Sequence, residues 1–295
     1  MSWSAKKRLE FIETRLFWEG KISRKDLTDY FDISIPQATK DFKAYSDLAS
    51  ANIQYDTSAK HYIASSKFNP ALISPDSEKY LSELVALDYK NKLFFYSSIP
   101  SFYSIPCVRR KVDSSTLKYL LKNIREGNAI NVEYQSMNKP SPVWRWITPH
   151  AIGFDGFRWH TRALCHKDKE YKDFNIGRML SVSREKRHDF DHTNDFEWFN
   201  DVTFKIAPHR GLTDGQKRCI ELDYGMVNGE LNFEIKAAFV FYALKRLGLE
   251  EGHEKRPAVK QQIILLNRNE IISKIKILKT ISSTKIKDMF PLGHK

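Results

Sequence analysis

Apolar residues in the first part of the chain recur at helical spacing before the period changes. The first helix is predicted from three apolar residues at this spacing: Leu9, Ile12 and Leu16. Gly20 follows as a helix stop, because glycine readily adopts the left-handed conformation that ends helices. A second helix is predicted to start at Ser23, with Asp26 three residues later as in a capping box.

A third helix is predicted after Ser34, whose hydroxyl can cap exposed N–H groups, and Pro36 suits its first turn. The apolar face of this helix has four predicted buried members: Ala38, Phe42, Tyr45 and Leu48. The opposite face is polar and carries Gln37, Thr39, Lys40 and Lys43. The short connection through Ile33 sets the second and third helices at a steep angle.

Two alternating segments, Ile53–Tyr55 and Lys60–Ile63, then predict a β-hairpin. Helix, steep turn, capped helix and hairpin form the order of a winged helix-turn-helix, whose second paired helix enters the DNA major groove. Amide and hydroxyl groups can reach base edges there, while lysines neutralise phosphates. The predicted DNA-binding residues are Ser34, Gln37, Thr39, Lys40, Lys43 and Lys60. An ordinary solvated face of a three-helix domain is the alternative.

Residues 68–115 are predicted to be a mostly helical linker. Pro75 can start its helix, and Pro100 and Pro106 interrupt the helical pattern. After a predicted helix, Ser115 to Glu126, the period changes to that of short strands: Ile130–Tyr134, Trp144–Ile152, Phe157–Cys165 and Tyr171–Val182. Asp155-Gly156 is a strong hairpin signal between the second and third strands. Four or five short strands after one helix predict a small β-barrel or a rolled sheet.

The last third mixes both periods and predicts a small α+β domain. Its elements are predicted as strands Val202–Ala207 and Leu231–Ala237 and helices Asp214–Leu222 and Ala238–Leu247. Residues 251–295 receive no firm assignment. The fold class is therefore a multidomain α+β protein, divided into residues 1–67, 68–115, 116–190 and 191–295.

The chain of 295 residues is basic, with a net charge of +12, and eight of those charges fall between residues 101 and 190. This balance favours a polyanionic partner. Cys107, Cys165 and Cys219 are too scattered for a disulfide framework or a metal site. No apolar run is long enough to cross a bilayer and no secretion signal is apparent, so we expect a cytoplasmic protein without membrane contact.

The segment from Phe157 to Cys165 has a distinctive alternation of charge. Arg158, His160 and Arg162 share one face of the predicted strand. The opposite face carries Trp159, Thr161, Ala163 and Cys165, of which Trp159 and Ala163 are expected to fill the core. Arginine binds phosphate through paired hydrogen bonds, so the basic face suits an anion. A simply solvated outer face is the equal alternative.

Signals for an enzyme are weak. We find no phosphate-cradling glycine loop, no paired metal-ligating histidines and no nucleophile elbow, and we predict no catalytic residues, no metal and no cofactor. Asp223 with Glu234 and Lys236 resembles the core of a magnesium-dependent nuclease family, a pattern that is common by chance.

Four segments in the middle of the chain carry a family resemblance: Val132–Ser136, Thr148–Ile152, Asp155–Ala163 and Tyr171–Arg178. Together these segments resemble the WYL-domain transcriptional regulators, in particular the compact BrxR and CapW regulators encoded beside the bacterial anti-phage systems BREX and CBASS. The triplet that names the domain reads Trp159-His160-Thr161 here. The resemblance implies an N-terminal winged helix-turn-helix, an SH3-like (Sm-like) WYL β-barrel and a C-terminal dimerisation domain.

The resemblance also implies a basic pocket that senses a nucleotide or a nucleic-acid fragment. Transferred by motif position, its ligand-binding residues are Tyr134, Ser136, His150, Arg158, His160, Arg162, Phe174 and Arg178. The predicted function is a homodimeric repressor of a phage-defence operon that binds a pseudo-palindromic double-stranded operator and responds to such an effector. The magnesium-dependent nuclease and a module that binds single-stranded nucleic acid without sequence preference are the alternatives.

Overall fold

The computed structural model describes residues 1–88, 99–105, 110–188 and 190–289. The chain divides into two compact units, Met1–Cys107 and Val108–Lys295. The helices are α1 (Trp3–Glu19), α2 (Arg24–Phe31), α3 (Ile35–Leu48), α4 (Ser77–Asp88), α5 (Ser114–Glu126), α6 (Phe196–Phe199), α7 (Asp214–Tyr224), α8 (Val240–Arg246) and α9 (Arg268–Met289). The strands are β1 (Lys21–Ile22), β2 (Ile53–Asp56), β3 (His61–Ala64), β4 (Asn128–Tyr134), β5 (Val143–Phe154), β6 (Trp159–Cys165), β7 (Glu170–Asn175), β8 (Met179–Arg187), β9 (Asp201–Pro208), β10 (Leu231–Lys236) and β11 (Ile263–Leu265).

The first unit begins with the three helices and the hairpin that the sequence predicts. Gly20 ends α1 in the left-handed conformation, and Ser23 and Asp26 form the complete capping box of α2. The hairpin β2–β3 gains a third strand, β1, so that the sheet order is β1-β3-β2. The apolar faces of α1, α2 and α3 meet in one core around Ile12, Leu27 and Phe42. The prediction that Leu48 is buried was wrong, since it lies in the last turn of α3 and is 47% exposed.

A buried carboxylate fixes the segment that follows the hairpin. Glu13 of α1 accepts hydrogen bonds from the backbone N–H groups of Ala71, Leu72 and Ile73 at 2.9, 2.6 and 2.7 Å. The hydroxyl of Tyr45 donates to the same carboxylate at 3.0 Å. Burial and the neighbouring Glu13 charge raise the pKa of Tyr45 above its ordinary value, which keeps the phenol protonated as a donor. The carboxylate of Glu13 therefore links α1 and α3 to the chain beyond the wing.

The linker contains the predicted helix, α4, after Pro75. Residues 99–105, which include Pro100, form no helix or strand. Pro106 and Cys107 lie outside the described residues. The two other cysteines are free: Cys165 is buried and Cys219 is exposed. None of the helices within the described residues is both long and apolar enough to span a membrane.

The second unit begins with α5 and an antiparallel five-stranded sheet of order β7-β6-β5-β4-β8. The segment predicted as one strand from Tyr171 to Val182 is two strands, because the chain makes a 3₁₀ turn at Ile176–Arg178 that the side chain of Asn175 caps. β7 pairs with β6, and β8 pairs with β4. These two strands lie at opposite edges of the sheet, so among the described residues no sheet closes into the predicted barrel. Core residues from α5 and the sheet, including Leu120 and Ile147, pack on one face of this open sheet.

Asp155-Gly156 forms the predicted hairpin turn between β5 and β6, and the aspartate side chain stabilises it. Asp155 Oδ1 accepts the backbone N–H groups of Phe157 and Arg158, each at 2.7 Å. Its Oδ2 accepts Arg158 Nε at 2.9 Å and lies 3.0 Å from His160 Nε2. Gly156 has φ +95°, a conformation that residues with a Cβ rarely adopt.

The last third contains the antiparallel sheet β10-β9-β11 with α7, α8 and α9, and the two strands and two helices that the sequence predicts are present. The unassigned residues after 251 supply β11 and the long helix α9. α9 packs against this sheet through Ile271 and Leu278. Near its other end, Ile286 is buried with Leu164 and Tyr171 of the five-stranded sheet. The two sheets of the second unit are therefore joined by one helix.

We predict that Asp155→Asn lowers the free energy of unfolding near neutral pH by about 2 kcal/mol. Burial alone would raise the pKa of Asp155, but hydrogen bonds from His160, Phe157 and Arg158 outweigh it and bring the pKa from 3.8 to about 2. The stabilisation is therefore complete above pH 3.8 and is lost as the pH falls towards 2. Urea unfolding between pH 7 and pH 2 measures it. Asp214→Asn, at a fully exposed aspartate, is the control, and equal losses in the two variants would contradict the assignment.

Candidate functional sites

The turn between α2 and α3 is built by local hydrogen bonds. Asp32 ends α2 in the left-handed conformation with φ 52°. Ser34 then caps α3, its hydroxyl accepting the backbone N–H of Gln37 at 3.4 Å. Ser34, predicted to bind DNA, is thus placed at the start of α3 with its hydroxyl used as a helix cap.

An ion pair fixes the orientation of α3 against α1. Arg8 of α1 donates through Nε and Nη2 to both carboxylate oxygens of Asp41, at 2.7 and 3.1 Å. Asp41 is buried, and Gln37 Nε2 donates to it at 3.0 Å. Gln37, predicted to lie on the outward polar face, is half-buried, and its amide is held by this carboxylate one turn along the helix.

The exposed face of α3 carries three of the predicted residues, Thr39, Lys40 and Lys43. The Thr39 hydroxyl donates to the Ile35 carbonyl at 3.0 Å, which leaves its oxygen available as an acceptor. Ile35 itself is 65% exposed in the first turn. Sequence analysis missed it, although an apolar residue directly after a predicted N-cap was the available signal.

The hairpin forms a wing whose tip carries Lys60, exposed and left-handed with φ 56°. Beside the wing, the Arg24 guanidinium carbon lies 5.4 and 5.3 Å from the ring centroids of Tyr55 and Tyr62. Arg24 Nη2 also donates to the Tyr62 hydroxyl at 2.9 Å. The Tyr62 ring stacks on Phe42 of α3 with centroids 3.9 Å apart. Arg24 is a cation beside the wing that the sequence pattern did not single out.

The basic strand predicted in the second unit is β6, and its charged face is covered. His160 and Arg162 are buried, each 4% exposed. His160 and Arg158 both contact Asp155 in the preceding turn. Ala163 is buried in the core as predicted, whereas the prediction that Trp159 fills the core was wrong, because this residue at the start of the strand is 47% exposed. The expectation of an open basic face was wrong, since carboxylates neutralise it from within the same unit.

Arg162 is the centre of a buried cluster. Its Nε and Nη2 donate to the two oxygens of Asp195 at 2.7 and 3.0 Å. It also donates to Glu197 at 3.2 Å and to Asp173 at 3.3 Å. His150 Nε2 lies 2.9 Å from the same Asp195 oxygen that accepts Arg162 Nε. Asp195 and Glu197 belong to the segment that leads from the five-stranded sheet into the C-terminal elements, so the cluster joins the two.

Burial and ion pairing act in opposite directions on these carboxyl groups. At Asp195, burial raises the pKa, but hydrogen bonds from His150 and Arg162 outweigh it and hold the pKa below its ordinary value. At Asp173 and Glu197, burial is the larger effect and raises the pKa despite the nearby guanidinium. Asp195 is therefore the carboxylate that retains its charge most strongly, and the other two are the first to be protonated as the pH falls.

The remaining predicted ligand-binding residues do not join this cluster. Tyr134 and Phe174 belong to the core on the other face of the sheet, with ring centroids 5.2 Å apart. Tyr134 also accepts the backbone N–H of Asn175 through its hydroxyl at 3.2 Å. The Ser136 hydroxyl accepts the Asn138 N–H in the β4–β5 connection. Arg178 lies in the turn between β7 and β8.

A polar cavity of about 400 Å³ opens beside Arg162. It lies between β6, β7, α8 and α9, and its walls include Lys172, Asp173, Tyr242, Lys279 and Ser282. Of the predicted set, only Arg162 lines this cavity. The acidic partners were missed because Asp195 and Glu197 lie more than thirty residues beyond Arg162, although two carboxylates beside aromatic residues in a short helix were a visible signal.

The nuclease residues do not form a metal site. Lys236 pairs with Asp201 at 3.6 Å and lies over Trp198. Glu234 is exposed on β10, and Asp223 is exposed near the end of α7. Within the described residues, no group of three or more histidine, cysteine, aspartate or glutamate side chains is arranged to hold a metal ion.

Three family models match the sequence. Residues 4–86 match the BrxR transcriptional regulator winged helix-turn-helix domain, and residues 115–184 match the WYL domain. Residues 201–271 match the BrxR transcriptional regulator C-terminal dimerization domain.

Curated relatives align along almost the whole chain. The DNA-binding transcriptional repressor CapW of Escherichia coli (strain KTE188) is 35% identical over 277 residues, which are 93% of this chain and 93% of CapW. CapW repressors of Stenotrophomonas maltophilia and Pseudomonas aeruginosa are each 37% identical over 91% of both chains. Among solved structures, proteasome accessory factor B/C of Arthrobacter aurescens is 15% identical over 97% of this chain and 49% of its own, with a TM-score of 0.26, too low to show a common fold.

We predict that Arg162→Gln lowers the free energy of unfolding by about 3–5 kcal/mol, because it leaves buried carboxylates without their guanidinium. Adding Asp195→Asn to this variant recovers part of the loss, and urea unfolding of both single variants and the double variant measures the coupling. Lys217→Gln removes the surface ion pair with Asp214 on α7 and costs less than about 1 kcal/mol. A loss at Arg162 no larger than at Lys217 would exclude the proposed role of the cluster.

Proposed function

This chain belongs to the BrxR and CapW family of transcriptional regulators, and we propose that it represses a phage-defence operon by binding operator DNA as a homodimer. The observation that carries the proposal is α3, a capped helix held by the Arg8–Asp41 ion pair with Thr39, Lys40 and Lys43 exposed. Members of this family are regulators rather than enzymes, so the nuclease is not proposed further.

α3 would lie in the major groove. Thr39 offers a hydroxyl to base edges, and the exposed Ile35 offers apolar contact to a thymine methyl group. Lys40 and Lys43 on the helix, with Lys60 at the wing tip, would contact phosphates. Ser34 and Gln37 would contribute by fixing the first turns of the helix through their hydrogen bonds.

A homodimer follows from the need to read two half-sites and from the matched dimerisation domain. We assign residues 191–295 as the dimerisation part, residues 1–67 as the DNA-binding part, 68–115 as the linker and 116–190 as the WYL domain. Within residues 201–271, three large apolar side chains are exposed around the end of α7: Leu222, Tyr224 and Val227. Exposed apolar patches of this kind mark association surfaces, so we assign them to the contact with a second copy.

We further propose that an anionic effector, a nucleotide or a single-stranded nucleic acid, acts on the WYL domain. The predicted set of Tyr134, Ser136, His150, Arg158, His160, Arg162, Phe174 and Arg178 is kept as the candidate group. Support comes from Arg158 and Arg162, which line cavities beside their carboxylate partners. An effector would lower operator affinity if it bound better to the state that cannot hold DNA, with a coupling of about 1–3 kcal/mol.

We predict that Lys40→Ala weakens binding to operator and to random duplex alike. Loss of one phosphate contact should reduce the slope of log affinity against log salt by about one. Fluorescence titration of the promoter fragment upstream of the chain's own gene, at several salt concentrations, measures both. Lys217→Ala, a lysine of the second unit, is the matched control.

Thr39→Val should instead reduce the preference for operator over random duplex without changing the salt slope. If wild-type protein bound promoter and random duplex equally, the specific regulator would be wrong. If it then preferred single strands, the alternative of a non-specific single-strand module would be supported.

We predict that Leu222→Asp with Val227→Asp converts the protein from dimer to monomer in sedimentation velocity, because two charges would be buried without partners at the contact. Leu81→Asp with Val85→Asp places the same two charges at exposed apolar residues of the first unit and should leave the dimer intact. Dimers that persist in the double variant would move the contact to another surface.

A further inference from the structure

A cavity of about 250 Å³ lies in the second unit between the β5–β6 turn and α8. Four basic residues and one acidic residue line it: Arg110, Arg158, Lys245, Arg246 and Asp155. Phe157 and Tyr242 supply its aromatic walls. The lining is therefore strongly cationic, unlike the cluster around Arg162, where carboxylates outnumber the guanidinium.

Three of these cations are not neutralised. Arg158 is paired with Asp155 at 2.9 Å. Arg110, Lys245 and Arg246 form no ion pair or hydrogen bond with any other described residue. The cations of this concave site outnumber its one carboxylate, Asp155, and such an excess attracts an anion. Arginine in particular recognises phosphate through parallel hydrogen bonds.

The backbone of the turn makes room for Arg246. A Cβ on Gly156 would lie 2.7 Å from Arg246 Nη1 and 3.1 Å from its Cζ, so the guanidinium packs directly against the glycine. Glycine is therefore needed at position 156 for two reasons: its φ of +95°, and the close approach of the Arg246 guanidinium. The contact holds a cation of α8 over the turn that Asp155 builds.

A second cavity, of about 300 Å³, shares Asp155, Tyr242 and Arg246 with the first. The rest of its lining is apolar and rich in aromatic rings: Phe154, Phe233, Ile235, Phe239, Ala243 and Leu247. The ring of Phe239 packs directly on the backbone at Gly153, where a Cβ would lie 2.1 Å from its Cζ. A cationic compartment and an aromatic compartment therefore meet at Tyr242 and Arg246.

We propose that these two cavities together bind a nucleoside phosphate, either free or at the end of a nucleic-acid strand. The phosphate occupies the cationic compartment with Arg110, Lys245 and Arg246, and the base occupies the aromatic compartment, where planar rings favour stacking. The combined size suits a small ligand of this class. This inference rests on the effector-controlled regulator proposed above and identifies where and how the effector binds.

The position of the site gives it a regulatory consequence. The turn belongs to the five-stranded sheet, while Lys245 and Arg246 belong to α8, which packs with the sheet β10-β9-β11 of the dimerisation part. A phosphate held by Arg110 and Arg158 on one side and α8 on the other bridges the two parts. Ligand binding is thereby expected to change how firmly the dimerisation part is held to the WYL sheet.

The test uses the full chain and a 5′-phosphorylated, 3′-fluorescein-labelled pentathymidylate in fluorescence polarisation. Lys245→Gln with Arg246→Gln should weaken probe binding about tenfold or more, as expected when charge-assisted contacts to phosphate are lost. Lys217→Gln with Arg218→Gln removes the same charge from the exposed face of α7 and should leave the affinity unchanged. Both pairs are on the surface, so operator binding without probe should equal that of the wild type.

Competition distinguishes the two sources of the ligand. Displacement by the four nucleoside 5′-monophosphates indicates a free nucleotide, and displacement only by unlabelled phosphorylated strand indicates a strand end. Failure of the wild type to bind the probe, equal weakening by both double variants, or equal competition by thymidine without phosphate would overturn the proposal. A protein that binds operator but not the probe leaves the repressor standing, whereas one that binds the probe but no promoter refutes the repressor alone.

Discussion

The buried pairing of Arg162 with Asp195 is the interaction on which the second unit depends. A guanidinium in a protein interior is tolerated only with close carboxylate partners, and here the partners come from β7 and from the segment that enters the C-terminal elements. The WYL sheet and the dimerisation part therefore cannot separate without exposing charges that were buried together. The effector proposed above would act on this same junction if it competed for Arg162 or spanned the neighbouring cavities.

The first unit is also held together by buried carboxylates with close hydrogen-bond donors, but it uses fewer of them. Asp41 orients α3 by accepting hydrogen bonds from Arg8. Glu13 accepts hydrogen bonds from three backbone N–H groups of the segment that follows the wing. Because these carboxylates are buried and satisfied, they fix the helix that carries Lys40 without occupying its exposed face. Polar groups inside the domain thus fix the geometry of α3, while Thr39, Lys40 and Lys43 remain exposed on its surface.

Local structure could be predicted from the sequence, but the contacts that distant segments make with that structure could not. Caps at Ser23 and Ser34 and the Asp155-Gly156 turn were predictable because the determining atoms lie within a few residues. Strand alternation correctly separated the two faces of β6 but could not show that Asp195 would close the charged face. The open sheet was missed for a related reason: a tight turn after Asn175 divides the predicted strand Tyr171–Val182 into two strands on opposite edges.

The open edge at β8 bears on how the protein avoids aggregation. An unpaired strand can recruit another chain, yet β8 has irregular register against β4, a left-handed residue at Arg184, and a run of alternating charges through Glu185 and Lys186. Such an edge is a poor template for intermolecular β-pairing. Strand addition at this edge is therefore disfavoured, which would leave contact with a second copy to the C-terminal surface proposed above.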